Sequence, residues 1–215
     1  MKNCLAGMSP RKSAIVVGVA IIAMFILAIV VDNFILANFI GPGDTSALAK
    51  DMAVNQTRFG FAGAGYLLIL LLDLAIALAL YVVLKPVSKI LASLTSLFRL
   101  LYTAIMVISV ISVVVHLISV YSYGTIKLIG YMFFTGHIFF LGYTVLKSDY
   151  IPKGLGILLI IAFFSYIVLL YGKSLVPEQL LPIFVVPAAI AELLLGIWFL
   201  WKRNKLPAGI VNVNQ

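Results

Sequence analysis

Apolar residues in this chain neither alternate nor return to one helical face. They continue for roughly two dozen positions at a time, and short polar groups separate the runs. A half-buried strand would show a period of two and an amphipathic helix a period of 3.6. Unbroken runs of this length fit helices surrounded by lipid, which need roughly 20 apolar residues to cross a bilayer. Six such runs cover about 13–40, 59–84, 89–121, 125–146, 154–171 and 178–201. The first is interrupted late by Asp32 and Asn33. After it, Gly41-Pro-Gly-Asp44 reads as a turn, and Asp44 can cap a short surface helix through Asn55. Ala47, Leu48, Met52 and Val54 would give that helix an apolar side for the membrane interface. Lys85-Pro86 ends the second run, and the third is long enough to tilt. The sixth carries Pro182 and Pro187 and ends in Lys202, Arg203 and Lys205. The expected fold class is therefore all-α: one polytopic bundle of six transmembrane helices over 13–201, with an N-terminal segment 1–12 and a tail 202–215.

Composition sharpens this picture. The chain is 64% hydrophobic and only 10% charged, with a mean hydropathy of +1.20. A soluble domain is closer to half apolar and a quarter charged. A net charge of +8 would suggest nucleic acid in a soluble protein, but here the basic residues sit at the ends of apolar runs. They read as orientation signals, so no nucleic-acid partner is expected. With the N-terminus inside, ten lysines and arginines fall in inside segments, including Arg11, Lys12, Lys85, Lys147 and Lys202; four, Lys50, Arg58, Lys127 and Lys173, fall outside. That places both termini in the cytoplasm. The run after Arg11 and Lys12 is followed by no small-x-small cleavage site, so a retained first span is expected. Cys4 is the single cysteine, which excludes an internal disulfide and any multi-cysteine metal site.

Four ionisable residues fall deep inside the runs. At 1.5 Å per helical residue, Arg99 lies roughly 12 Å from the inner end of its span, His137 and Glu192 roughly 14 Å, and Asp73 roughly 16 Å. All are close to the middle of a hydrocarbon core about 30 Å thick. Asp32 and His116 come out much nearer the outer surface. A charge facing lipid at mid-depth costs about 2.5–3.5 kcal/mol or more, so the four should turn inward and meet. Arg99 is expected between Asp73 and Glu192, since a guanidinium can bridge two carboxylates; the trio is net −1 when all are ionised and neutral when one carboxyl holds a proton, and His137 or a bound cation would supply the balance. Ala92, Ser96 and Thr103 make a small, polar stripe beside Arg99; Tyr66, Asp73, Ala77 and Tyr81 share a face; Ala188 and Gly196 flank Glu192 at one turn. Tyr66, Tyr81, Ser96 and Thr103 are the supporting candidates.

Several stretches together resemble a bacterial and archaeal family of six-span membrane proteins, catalogued as domain of unknown function forty-three eighty-six. They include Asp73-Leu-Ala-Ile-Ala-Leu-Ala-Leu-Tyr81, Leu84-Lys-Pro-Val-Ser88, Leu97-Phe-Arg-Leu100, Gly136-His137, Leu141-Gly-Tyr143, Tyr150-Ile-Pro-Lys-Gly154 and Glu192-Leu-Leu-Leu-Gly-Ile-Trp198. The resemblance covers about Arg11 to Lys202. It implies that the family's aspartate, arginine, histidine and glutamate correspond to Asp73, Arg99, His137 and Glu192, and it implies no established activity.

Three function classes follow. The first is a membrane protein whose charged core is structural and also offers a site for a ligand, lipid or partner. The second is a small proton- or ion-coupled transporter or channel. The third is an intramembrane enzyme, for which no constellation is present. With two histidines at different depths and one cysteine, neither a three-histidine zinc site nor bis-histidine haem can be built, so no metal or other cofactor is expected. The expected partners are the lipid bilayer and a second membrane protein, or a second copy of the chain. The expected location is a prokaryotic plasma membrane.

Overall fold

The computed structural model describes residues 8–31, 55–114 and 120–207. Six long helices account for nearly all of them: α1 (Pro10–Ile29), α2 (Gln56–Leu84), α3 (Lys89–Val114), α4 (Val120–Lys147), α5 (Lys153–Leu175) and α6 (Leu181–Lys202). Short 3-10 turns precede and follow α6 at Glu178–Leu180 and Arg203–Lys205. All six helices are long and apolar enough to cross a membrane. The protein is a multi-pass membrane protein with an all-helical fold. Cys4, the end of the first run with Asp32 and Asn33, the turn and surface helix between Gly41 and Val54, His116 and the end of the tail lie outside the described residues.

The helix ends follow backbone chemistry more than hydropathy. α4 starts at Val120 and α5 runs to Leu175, each about one turn beyond the apolar run, because a helix keeps its hydrogen bonds after it leaves hydrocarbon. α6 starts three residues later than its run suggests, with Pro182 in its first turn. Proline suits that position, where its missing N–H has no helical acceptor to lose.

Each helix packs against the next in sequence, and α6 returns to α1, so the bundle is a closed ring. Arg11 joins the two ends of the chain: its Nε donates to the Leu206 carbonyl at 3.2 Å and Nη2 to the Asn204 carbonyl at 3.3 Å. This end, where α1 starts and α6 stops, is the basal end; the other is distal. Two tight connections close the basal end. Val87 N–H and Ser88 N–H donate to the Leu84 carbonyl at 2.9 and 3.3 Å. The Ser148 hydroxyl accepts from Ile151 N–H at 3.1 Å, while the Tyr150 hydroxyl crosses to the Val83 carbonyl at 2.9 Å. Val83 is in the last turn of α2, whose carbonyls have no helical partner, so Tyr150 caps a neighbouring helix. Lys153 does the same for the Leu146 carbonyl.

Lysines at the basal end lie over aromatic rings: Lys85 is 5.9 Å from the Tyr81 centroid, Lys147 is 4.7 Å from Tyr143, and Lys202 is 4.9 Å from Trp201. Rings at a membrane interface with cations reaching toward water are the pairing such an end requires. The sides of the ring are apolar outward: Phe61, Leu71, Ile108, Phe164 and Ile183 are all more than half exposed. The seam between α1 and α6 depends on two glycines. A Cβ on Gly18 would meet the Gly196 carbonyl oxygen at 2.6 Å, and one on Gly196 would meet Ile21 at 3.1 Å. Small residues here let the two backbones approach and close the ring.

Candidate functional site

Arg99 projects from the middle of α3 into the ring and is fully buried. Its Nε donates to Asp73 Oδ1 of α2 at 2.8 Å, and Nη2 donates to the same oxygen at 2.5 Å. Nη1 has two hydrogens and two acceptors: Glu192 Oε1 of α6 at 2.5 Å and His137 Nε2 of α4 at 2.9 Å. The guanidinium thus ties four helices together. Its Cζ also lies 5.5 Å from the centroid of Phe134, one turn before His137. The sequence places all four ionisable groups at one depth, and the structure brings all four into contact, with Arg99 between the carboxylates.

The partners of His137 fix its tautomer. Nδ1 is 2.8 Å from the Thr95 carbonyl oxygen, which can only accept, so Nδ1 carries a hydrogen. Nε2 faces a guanidinium nitrogen, which can only donate, so Nε2 offers its lone pair. The ring is neutral in this arrangement. Glu192 Oε1 lies 3.6 Å from Nε2, beyond a hydrogen bond. Gly136 makes this contact possible, because a side chain there would run into the Phe98 ring and push α4 away from α3.

On the basal side of the knot the ring is filled. Leu80, Val83 and Leu84 of α2, Leu141 of α4, Leu159 of α5 and Leu195 of α6 are fully buried there. On the distal side the ring is hollow. A cavity of about 460 Å³ reaches from Asp73 and Glu192 to Ala28 and Lys127, and every helix contributes to its wall. Tyr102, Tyr131, Phe134 and Tyr166 form a cluster of rings beside the knot: Tyr102 and Phe134 have centroids 4.9 Å apart, Phe134 and Tyr166 5.3 Å, and Tyr102 and Tyr131 5.9 Å.

The supporting candidates divide. Thr103 is buried and donates to the Arg99 carbonyl at 2.9 Å, holding the helix that carries the guanidinium. Tyr66 lines the cavity two turns above Asp73. Ser96 is buried, but its hydroxyl has no hydrogen-bond partner among the described residues, so it is not tied into the knot. Tyr81 is at the basal end under Lys85, two turns from Asp73, and belongs to the interface. The aromatic wall is what sequence reasoning missed. Tyr102 follows Arg99 by three residues and Phe134 precedes His137 by three, a one-turn spacing that was available; Tyr166 has no ionisable neighbour on its helix to mark it.

The family model described as a domain of unknown function, DUF4386, matches the chain over residues 16–123 and 113–202. The chain belongs to the DUF4386 family. Asp73 and Arg99 fall in the first matched stretch, and His137 and Glu192 in the second. A protein of Archaeoglobus fulgidus, described as uncharacterized, is 36% identical over 164 residues, 75% of this chain and 95% of its own. No solved structure matches the chain. Membership of DUF4386 carries no activity with it, so function has to be argued from the knot and the cavity above it.

Proposed function

We propose that this protein binds a ligand within the membrane, in the distal cavity, and that the Arg99 knot both locks the bundle and forms the floor of the site. One-sided access carries the reading. Asp73 and Glu192 line a cavity of about 460 Å³ on their distal side, while fully buried leucines fill the basal side. A purely structural ion-pair lock has no use for such a hollow, since helices meeting only to bury charges pack without voids. The distribution of lysine and arginine supports a basal end in the cytoplasm and a cavity reached from outside, in the plasma membrane of a prokaryote.

Site-directed thiol labelling tests this in proteoliposomes. With Cys4 changed to Ser, Ala189→Cys places a thiol on the cavity wall and Leu195→Cys places one below the knot. A water-soluble thiosulfonate should label position 189 rapidly and leave 195 protected. A protected thiol at 189 in the folded protein would remove the site. Transport is the second reading, and the same observation favours it: a central site with a hollow on one side and a packed layer on the other suits one half of an alternating-access cycle. It requires the basal leucine layer to part, so Leu195→Cys would become reactive from the basal side during turnover.

A further inference from the structure

We infer that the cavity takes an organic monocation, an ammonium with an apolar body, seated between the knot's two carboxylates and the tyrosine wall; this rests on the cavity being the ligand site. The first ground is charge. Asp73 and Glu192 contribute two negative charges, Arg99 one positive, and His137 none, because its two hydrogen bonds fix it as the neutral Nδ1–H tautomer. With both carboxyls ionised the knot therefore holds one negative charge in excess, in surroundings where an unbalanced charge is costly, and a proton or a bound cation balances it. Among the described residues, the side chains packed below the knot, such as Leu80, Leu141, Leu159 and Leu195, carry no charge, so a balancing proton or cation is supplied from the cavity.

The second ground is where the free lone pairs are. Every hydrogen bond the described residues make to Asp73 ends on Oδ1, and Arg99 meets Glu192 at Oε1. Oδ2 and Oε2 receive none from the described residues, and the two side chains keep 3% and 8% of their surface beside the cavity they line. The third ground is the wall. Arg99 already lies over Phe134, while Tyr102, Tyr131 and Tyr166 offer further rings close by; a cation over such faces is attracted to them. Met24, Phe25 and Met106 continue the lining upward and suit an apolar body. The volume is also far greater than the roughly 30 Å³ that one water occupies.

Few other groups on the cavity bear on this balance. The α1 lining is uncharged, Tyr66, Tyr102, Tyr131 and Tyr166 are neutral hydroxyls, and Lys127 is the one cation besides Arg99 among the lining and knot residues. Lys127 is half-buried at the distal rim, over the Tyr131 ring at 5.7 Å. It lies ten helical residues, roughly 15 Å, above His137. A proton on one carboxyl balances the knot as well as an ammonium does, so ligand and proton compete, and binding releases at most one proton.

The test uses the full chain in phosphatidylcholine nanodiscs with benzyltrimethylammonium as the probe. Benzenesulfonate serves as the anionic control, and sodium and potassium as inorganic controls. Calorimetry and thermal unfolding should show saturable binding of the ammonium alone, with a buffer-dependent heat that reports proton release. Glu192→Gln should abolish binding. Tyr166→Leu leaves the charges untouched and should weaken it about tenfold if a ring face holds the cation, which keeps the test decisive if the first variant does not fold. Equal binding of the sulfonate, equal stabilisation by sodium or potassium, or full affinity in Tyr166→Leu would overturn the assignment. Rapid labelling of Ala189→Cys without ammonium binding would reject the ligand class and leave the cavity standing; no labelling would reject both.

Discussion

Arg99 directs four of its five N–H hydrogens at three acceptors on three other helices. Lysine does not reproduce that arrangement: it offers three donors from one point, without the planar fork that sends two N–H groups to Asp73 and two more to Glu192 and His137. Removing the guanidinium leaves two buried carboxylates facing each other without a counter-charge, and breaking a buried pair costs about 3–5 kcal/mol. Neutralising one carboxylate is different, because the remaining pair balances and a glutamine carbonyl still accepts from Nη1. Reversible unfolding in nanodiscs should therefore find Arg99→Gln several kcal/mol less stable than the parent and Glu192→Gln within about 1.5 kcal/mol of it, the cost of one ordinary hydrogen bond. Equal losses would mean the knot carries no excess charge. The sequence makes this trio legible because lipid leaves a mid-depth charge no option but to turn inward. It does not disclose the tautomer of His137, which depends on the Thr95 carbonyl, a backbone atom without sequence identity.

At the scale of helices, the seam between α1 and α6 is the one joint that chain connectivity does not enforce. Gly196 was visible as a small residue one turn from Glu192, but its partner was not: nothing in a stretch near residue 18 says which of five helices it will face. The structure answers with a backbone approach that leaves no room for a Cβ on Gly18. Gly18→Val should therefore pry the ring open and destabilise it by about 1–3 kcal/mol, the usual range for overpacking. Gly60, whose Cβ would meet nothing, provides the control: Gly60→Ala should be neutral or slightly stabilising. Thermal unfolding of the two variants side by side decides it. Helix existence and basal ends such as Leu84 and Lys89 were readable from the apolar runs, whereas the start of α4 and the end of α5 were not, because a backbone goes on forming its ladder past the last apolar side chain.

The molecule as a whole is a ring of six helices packed solid in its basal half and hollow in its distal half. Hydropathy could not reveal that difference, since both halves draw on the same apolar vocabulary. Large apolar side chains line both: Leu80, Leu141, Leu159 and Leu195 below the knot, and Ile69, Leu70, Met106 and Val110 beside Tyr102 and Tyr166 above it. Cavities arise from how six neighbours sum their volumes, and a single run of sequence does not contain that sum.

The depth of the knot has an electrical consequence. A charge crossing a whole membrane at 100 mV gains or loses about 2.3 kcal/mol, so one that stops halfway exchanges about 1.2 kcal/mol with the field, roughly a sevenfold change in affinity. In the proposed orientation, with the basal end toward a negative cytoplasm, an ammonium descending to Asp73 and Glu192 moves down the potential, and its half-saturation should fall by about that factor for each 100 mV imposed on proteoliposomes by a potassium gradient. The floor of the cavity would then be a voltmeter as well as a binding site, fuller in an energised cell than in a depolarised one.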